Sequence, residues 1–253
     1  CLPFVMYFLL KCPLIQANNI MTQPQFGHFK PHSTHLALLQ KCRELPATWW
    51  GKQCAQRLRK KILKITQLPV DLILEGTAMR CFLTDNISER GFVFMPWRFD
   101  FDERAFLLTH LPNDGVFVDV GANVGIYSCL ALTVLGEAGH VLAIEPNPPV
   151  AARLTFNIKA TATHNHSTAK TSLVQTGVSD RPGSFSLYLN QNNLGASSLK
   201  VSSDQAIEIA CLPLLDIVSK ENIDRIDVMK VDIEGAEDLA LVPFLKKADA
   251  AIL

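Results

Sequence analysis

The chain has 253 residues, 48% of them hydrophobic and 19% charged, with 24 bases balanced by 24 acids. That length and composition suit one large domain, or one domain with a small appendage, and exclude a disordered, collagen-like or coiled-coil chain. The longest apolar run, Leu2 to Leu10, contains Pro3 and stops at Lys11, well short of the roughly 20 residues that cross a bilayer, so no transmembrane span is expected.

The charge is unevenly spread. Residues 1–70 hold ten Lys/Arg and a single acid, Glu44, whereas the remainder holds fourteen bases and twenty-three acids. Differently built regions are therefore expected: a basic, irregular to helical extension over 1–70, a hairpin and linking helix over 71–111, and a main domain over 112–253. The seven cysteines include no CxxC pair, which argues against a disulfide framework or a zinc site and makes a cytoplasmic location the simplest expectation. The chain opens on Cys1 rather than Met, and Ala248 to Leu253 reads as the start of a buried strand. A piece of a longer protein is the expectation.

In chain order, Pro13, Pro24, Pro31 and Pro46 interrupt any regular pattern over 1–50, which predicts irregular, loosely attached chain. His28, His32 and His35 are close together, but Pro31 breaks a helix that would align them and no acid completes a ligand set, so metal is not expected there. Residues 52–66 have helical spacing, with Leu58, Ile62 and Ile65 on one stripe and Arg57, Lys60, Lys61 and Lys64 on the others. A solvated face is the plain reading of those bases; contact with anionic lipid or nucleic acid is the alternative. Asp71 to Leu83 and Gly91 to Met95, separated by Thr84 to Arg90, predict a hairpin, and 102–111 a linking helix.

From Val116 the pattern alternates. Strands are predicted at Val116 to Val120, Val141 to Ile144, Ser172 to Val178, Ile207 to Ala210 and Ile226 to Val231, with a hairpin near Ser184 to Leu189. Helices are predicted at Gly125 to Leu135, Pro149 to Ala160, Pro213 to Lys220 and Glu234 to Lys246. Short strands apolar on both faces, alternating with amphipathic helices, define a doubly wound α/β domain with a mostly parallel sheet, in the Rossmann-like manner.

In such sheets ligands bind at the carboxyl ends of strands, and three strand ends here are polar. The first is Asp119-Val-Gly121-Ala122-Asn123-Val-Gly125: Gly121 permits a tight turn, Ala122 is small enough for backbone N–H groups to approach a ligand, and Gly125 lets a helix begin close to the strand. Glycines four apart, with Asn123 between, disfavour a dinucleotide, and no GK[ST] follows to hold a triphosphate. Asp119 would repel a pyrophosphate and attract a cationic group. The second is Glu145-Pro146-Asn147, where one carboxylate can take both hydroxyls of a ribose diol. The third carries Lys230, Asp232, Glu234 and Glu237; Asp232, at the strand terminus, is the stronger candidate, and acids in a helix's first turn also suit its dipole. Lys230, inside the strand, is expected to pair with a nearby acid.

Asp-Val-Gly-Ala-Asn-Val-Gly at 119–125, Glu-Pro-Asn at 145–147, Leu215-Asp216 and Lys-Val-Asp-Ile-Glu-Gly-Ala-Glu at 230–237 together resemble the FkbM-type methyltransferases. Trp97 to Phe106, Asn157, Val178-Ser179-Asp180 and Gly195 to Leu199 are similar to the same pattern, so the resemblance covers about residues 72–253. It implies an S-adenosylmethionine-dependent methyltransferase on a seven-stranded class I fold, methylating a hydroxyl of a sugar or secondary metabolite. Asp119, Gly121, Asn123 and Gly125 would hold the methionine end, Glu145 the ribose, and Asp180 would lie near the adenine, with Ala122, Pro146 and Asn147 in the same corners. Against that fold the chain is expected to end in the fifth strand, without the sixth and seventh.

Methyl transfer is an in-line displacement, so positioning carries most of the rate. An alcohol must also lose a proton, either to Asp232 or Glu234 as general base or with help from a divalent ion they hold. The competing expectations are a non-catalytic adenosyl-binding or scaffold protein and, less favoured, a nicotinamide-dependent oxidoreductase. The expected partner is a small hydroxyl acceptor, not nucleic acid.

Overall fold

The computed structural model describes residues 23–188, 206–233 and 235–252. Its core is a four-stranded parallel sheet of β3 (Val116–Val120), β4 (His140–Ile144), β5 (Lys170–Val174) and β9 (Val228–Val231), in the order β5-β4-β3-β9. The chain steps outward from β3 through β4 to β5 and later returns to the other side of β3, so the strand order reverses between β3 and β9. That reversal opens a crevice at the carboxyl ends of the strands.

Both faces of β3 and β4 are covered, as their largely apolar runs require, while β5 and β9 are only partly buried. On one face Phe117, Val141 and Ala143 join a core with α5 (Ile126–Ala131) and α6 (Pro148–Asn165). On the other, Val118, Val120, Leu142 and Ile144 pack with α7 (Leu214–Lys220) and α8 (Glu237–Lys247). The sheet is doubly wound.

The first core extends into the N-terminal region. Here α1 (Ser33–Arg43) and α2 (Trp49–Ile65) bury Leu39, Cys42, Ala55 and Ile62 in the same cluster as the sheet. The expectation of irregular chain before residue 50 is corrected for 33–43: prolines at 31 and 46 flank a helix rather than break one. The hairpin is also placed differently. Its strands are β1 (Val70–Leu74) and β2 (Thr77–Cys81), joined by Glu75 and Gly76, both with positive φ as a two-residue hairpin turn demands. Gly91 to Met95 is not its second strand but the end of α3 (Ile87–Phe94), because the Asn86 side chain accepts a hydrogen bond from Glu89 N and caps a helix there. The linking helix, α4, spans Phe101–His110.

Two further strand expectations change. Residues 172–178 divide at Gln175 and Thr176: β5 stays in the main sheet, while β6 (Gly177–Val178) pairs with β8 (Ala206–Leu212), which also pairs antiparallel with β7 (Gly183–Tyr188) in a separate sheet. The Thr176 hydroxyl donates to Ala210 O and anchors that departure. Residues 248–252 form a turn, with Ala251 N donating to Asp249 Oδ1 and Ile252 N to Asp249 O, rather than a strand. The 195–199 segment lies outside the described residues. Among them, five cysteines are free and no helix is long and apolar enough to cross a membrane.

Candidate active site

Gly121 ends β3 with φ +76, and a Cβ on it would stand 2.0 Å from the carbonyl oxygen of Asp232. The β3 and β9 corners are therefore in backbone contact, and only a residue without a side chain allows it. Asp232 N donates to Val120 O, which continues the β3–β9 ladder one step into the corner. Gly125, φ +89, precedes α5; a Cβ there would meet Leu154 Cδ1 at 2.6 Å, so the group it admits belongs to α6.

The β4 corner closes on the same loop. Gly121 N and Ala122 N both donate to Ile144 O, Asn123 N donates to Glu145 Oε2, Val124 N to Asn123 Oδ1, and Gly125 N to Ala122 O. This corrects the expectation that the loop's N–H groups face a ligand: every one from 121 to 125 is taken up inside the protein. A phosphate cradle needs those donors free, and here they are not.

Glu145 is the clamp. One oxygen accepts from Asn123 N and the other from Asn147 N, both at 2.9 Å, and burial pushes its pKa up to about 7 against the pull of those two N–H groups. Its sequence-predicted partner was a ligand; its partners in the fold are the two loops. Each carboxylate oxygen still has a second acceptor direction. Pro146 is half-buried and Asn147 is the N-cap residue of α6.

Asp119 is fully buried beneath these corners. Oδ2 accepts from the Ser128 hydroxyl at 2.7 Å, while Oδ1 has no hydrogen-bond partner among the described residues and lies 4.0 Å from Lys230 Nζ. Burial raises its pKa; Lys230 and Ser128 oppose that rise. Lys230 faces Asp119 across the β3–β9 register, as its expected pairing requires, and also lies 3.3 Å from Asp232 Oδ2 and 5.0 Å from the centre of the Tyr127 ring. The Asp232 side chain is 63% exposed at the crevice mouth.

Asp119, Gly121, Ala122, Asn123, Gly125, Glu145, Pro146, Asn147 and Asp232 thus occupy three adjoining strand ends. Asp180 does not join them by any bond among the described residues; it follows β6, is exposed, and accepts from the Ser179 hydroxyl. Glu234 lies outside the described residues, and α8 begins only at Glu237, three residues later than its spacing predicts.

Several supporting residues receive no role from the sequence, although Asn157 and the Trp97 to Phe106 stretch belong to the resembled pattern. Asn86 Nδ2 donates to Asn123 Oδ1, so the N-cap of α3 holds the β3 loop; the Asn-x-x-Glu capping pattern at 86–89 was the available signal. Asn157, fully buried on α6, accepts from Arg80 N and donates to Val124 O, tying hairpin to loop. Tyr127 OH donates to Asp100 Oδ2. Asp100, Glu103, Tyr127, Lys230 and Asp232 border a cavity of about 600 Å³ between α4 and β9.

A doubly wound sheet with acids at three adjoining strand ends, and no free N–H cradle in its first loop, is an α/β domain that lacks the dinucleotide and P-loop patterns. Residues 119–251 match the methyltransferase FkbM domain, and the chain belongs to that methyltransferase family. It is 28% identical over 183 residues to the hexuronic acid methyltransferase AglP of Haloferax volcanii, covering 72% of each chain. Methyltransferase sdnD of Sordaria araneosa is 25% identical over 54% of this chain and 63% of its own length. Methyltransferase 1 of Beauveria bassiana is 26% identical over 54% of this chain and 61% of its own length, so the match spans under two thirds of either fungal relative.

Proposed function

We propose that this methyltransferase takes its methyl group from S-adenosylmethionine and delivers it to a hydroxyl of a small molecule, a sugar or a secondary metabolite. The observation that carries the cofactor assignment is the buried Asp119 carboxylate, whose Oδ1 accepts no hydrogen bond among the described residues and has only a 4.0 Å ion pair with Lys230, beneath a loop whose N–H groups are all occupied. Such a site is matched to a cationic group and mismatched to a phosphate. When bound, the cofactor supplies a methyl group on a positively charged sulfur. Asp119 and the 121–125 loop would hold its methionine end, and Glu145 the ribose through the acceptor directions its loop bonds leave open. Asp180 would lie near the adenine, and Pro146 and Asn147 would shape the same wall.

The acceptor's place in this reading is the cavity bordered by Lys230 and Asp232. Asp232, exposed at the crevice mouth, takes the hydroxyl proton, with Lys230 holding its carboxylate in place. A hexuronic acid as the substrate class of the Haloferax relative supports a sugar acceptor. Residues 112–253 are taken as the transferase unit, with 71–111 leading into it. A divalent ion held near Asp232 and Glu234 would serve the same deprotonation, and activity that survives a chelator favours the carboxylate alone.

Calorimetric titration with S-adenosylhomocysteine and with NADH in parallel tests the proposal. Micromolar binding of the first, weakened at least tenfold or so by Glu145→Ala with the circular dichroism spectrum retained, is the expected result. Tight NADH binding without adenosylhomocysteine binding overturns it. Transfer of labelled methyl from the cofactor to uronic acids or neutral sugars then identifies the acceptor class.

A further inference from the structure

The helix α2 is three residues longer at its start than the spacing of its apolar stripe indicates, beginning at Trp49. That extension brings two tryptophans onto a helix that contains six Lys/Arg and no acid over 49–65. Gly51, Ala55 and Ile62 are buried against the core, so the opposite face is committed to the outside. On that face Trp50, Arg57, Lys61 and Lys64 follow one another at spacings of seven, four and three, which aligns them along a single stripe about 21 Å long. Trp49 and Trp50 are 63% and 70% exposed, in edge-to-face contact at 4.5 Å, and Ile65 is 46% exposed at the far end. None of the α2 bases forms an ion pair among the described residues.

Exposed tryptophans are costly in water and uncommon beside an unpaired row of bases. Two partners satisfy such a row: nucleic acid and an anionic lipid surface. Nucleic acid without a reading groove would be held by open ring faces on which bases stack, whereas these two rings pack edge to face at one end of a convex rod. A lipid headgroup layer is flat, negative and receptive to indole at its boundary. We infer that the exposed face of α2 docks this protein onto an anionic lipid bilayer, with Lys61 and Lys64 against the headgroups and Trp49 and Trp50 entering the interface.

Co-sedimentation of the full chain with vesicles tests this directly. Binding to phosphatidylcholine–phosphatidylserine vesicles, absent with pure phosphatidylcholine and reduced by salt, is the expected result. Two double variants, Lys61→Glu with Lys64→Glu and Trp49→Ser with Trp50→Ser, should each lower the partition coefficient about tenfold or more. The same charge reversal on α8, Lys246→Glu with Lys247→Glu, should leave it unchanged. All four positions of the first two variants are exposed or half-exposed, and an unaltered melting temperature checks that the fold survives. The inference is overturned by any of three outcomes: no binding of the wild type to serine-lipid vesicles, equal losses in the α2 and α8 variants, or binding of a single-stranded RNA oligonucleotide tighter than that of the vesicles.

Discussion

Replacing Gly121 by alanine isolates the contact that joins the β3 and β9 corners. The added Cβ would lie 2.0 Å from Asp232 O, and because real Cβ contacts essentially never fall below 3.0 Å, that carbonyl must retreat by about 1 Å or more. The retreat pulls on the Asp232 N–Val120 O bond of 3.0 Å, the last rung between the two strands. Gly235 is the matched control: its φ is +87, close to the +76 of Gly121, yet a Cβ there meets nothing within 4 Å. Alanine at 235 therefore has only the left-handed backbone cost of roughly 1–2 kcal/mol. Alanine at 121 has that cost plus a weakened buried hydrogen bond and displaced backbone, for a total of about 3–4 kcal/mol. Urea unfolding of both variants measures the difference. If the two lose equal stability, the close approach of the corners is wrong, and with it the shape of the site.

Glu89 is buried on α3, with one oxygen accepting from Phe82 N and Leu83 N, and burial raises its pKa to about 7. The folded state therefore keeps a proton that the unfolded state gives up near pH 4.5, so stability falls as pH rises from about 4.5 to 7, by up to about 3 kcal/mol. Glu145 and Asp119 are shifted in the same direction, so Glu89→Gln should flatten part of the overall slope in denaturation curves at several pH values; an unchanged slope refutes the assignment. Asn157→Ala leaves Arg80 N and Val124 O buried without their partner, and a loss of about 2–4 kcal/mol is expected by chemical denaturation. Arg80 and Asp71 form a two-bond buried pair, and Asp71 also accepts from Gly27 N and Phe29 N. Arg80→Met strands that carboxylate and should cost about 3–5 kcal/mol, read from the melting temperature and urea midpoint together.

The strands β3, β4 and β9 and the polar corners that end them were legible without coordinates because each signal is local. An apolar run of four or five residues followed by Gly121, Glu145-Pro146 or Asp232 carries its own boundary. The family resemblance rests on the same local runs. Elements whose identity depends on a remote partner were not legible in this way. Residues 172–178 look continuous, but Val178 finds its partner at Leu212, in another sheet. Gly91 to Met95 is a different case: its apolar pattern suits either a strand or a helix end, and the deciding signal, the Asn86 cap of α3, is local.

What the sequence by itself determined is the set of chemical groups and the order along the chain of the strands that present them: acids at 119, 145 and 232, glycines at 121 and 125, bases on one helix. Tertiary structure alone decided which partners those groups meet. It turned the loop N–H groups inward onto Ile144 and Glu145, left one oxygen of Asp119 unbonded beside Lys230, and exposed Trp49 and Trp50. The reason is that hydrogen-bond satisfaction, desolvation and exposure are properties of neighbours brought together by folding, often a hundred residues apart, and no window of sequence contains them.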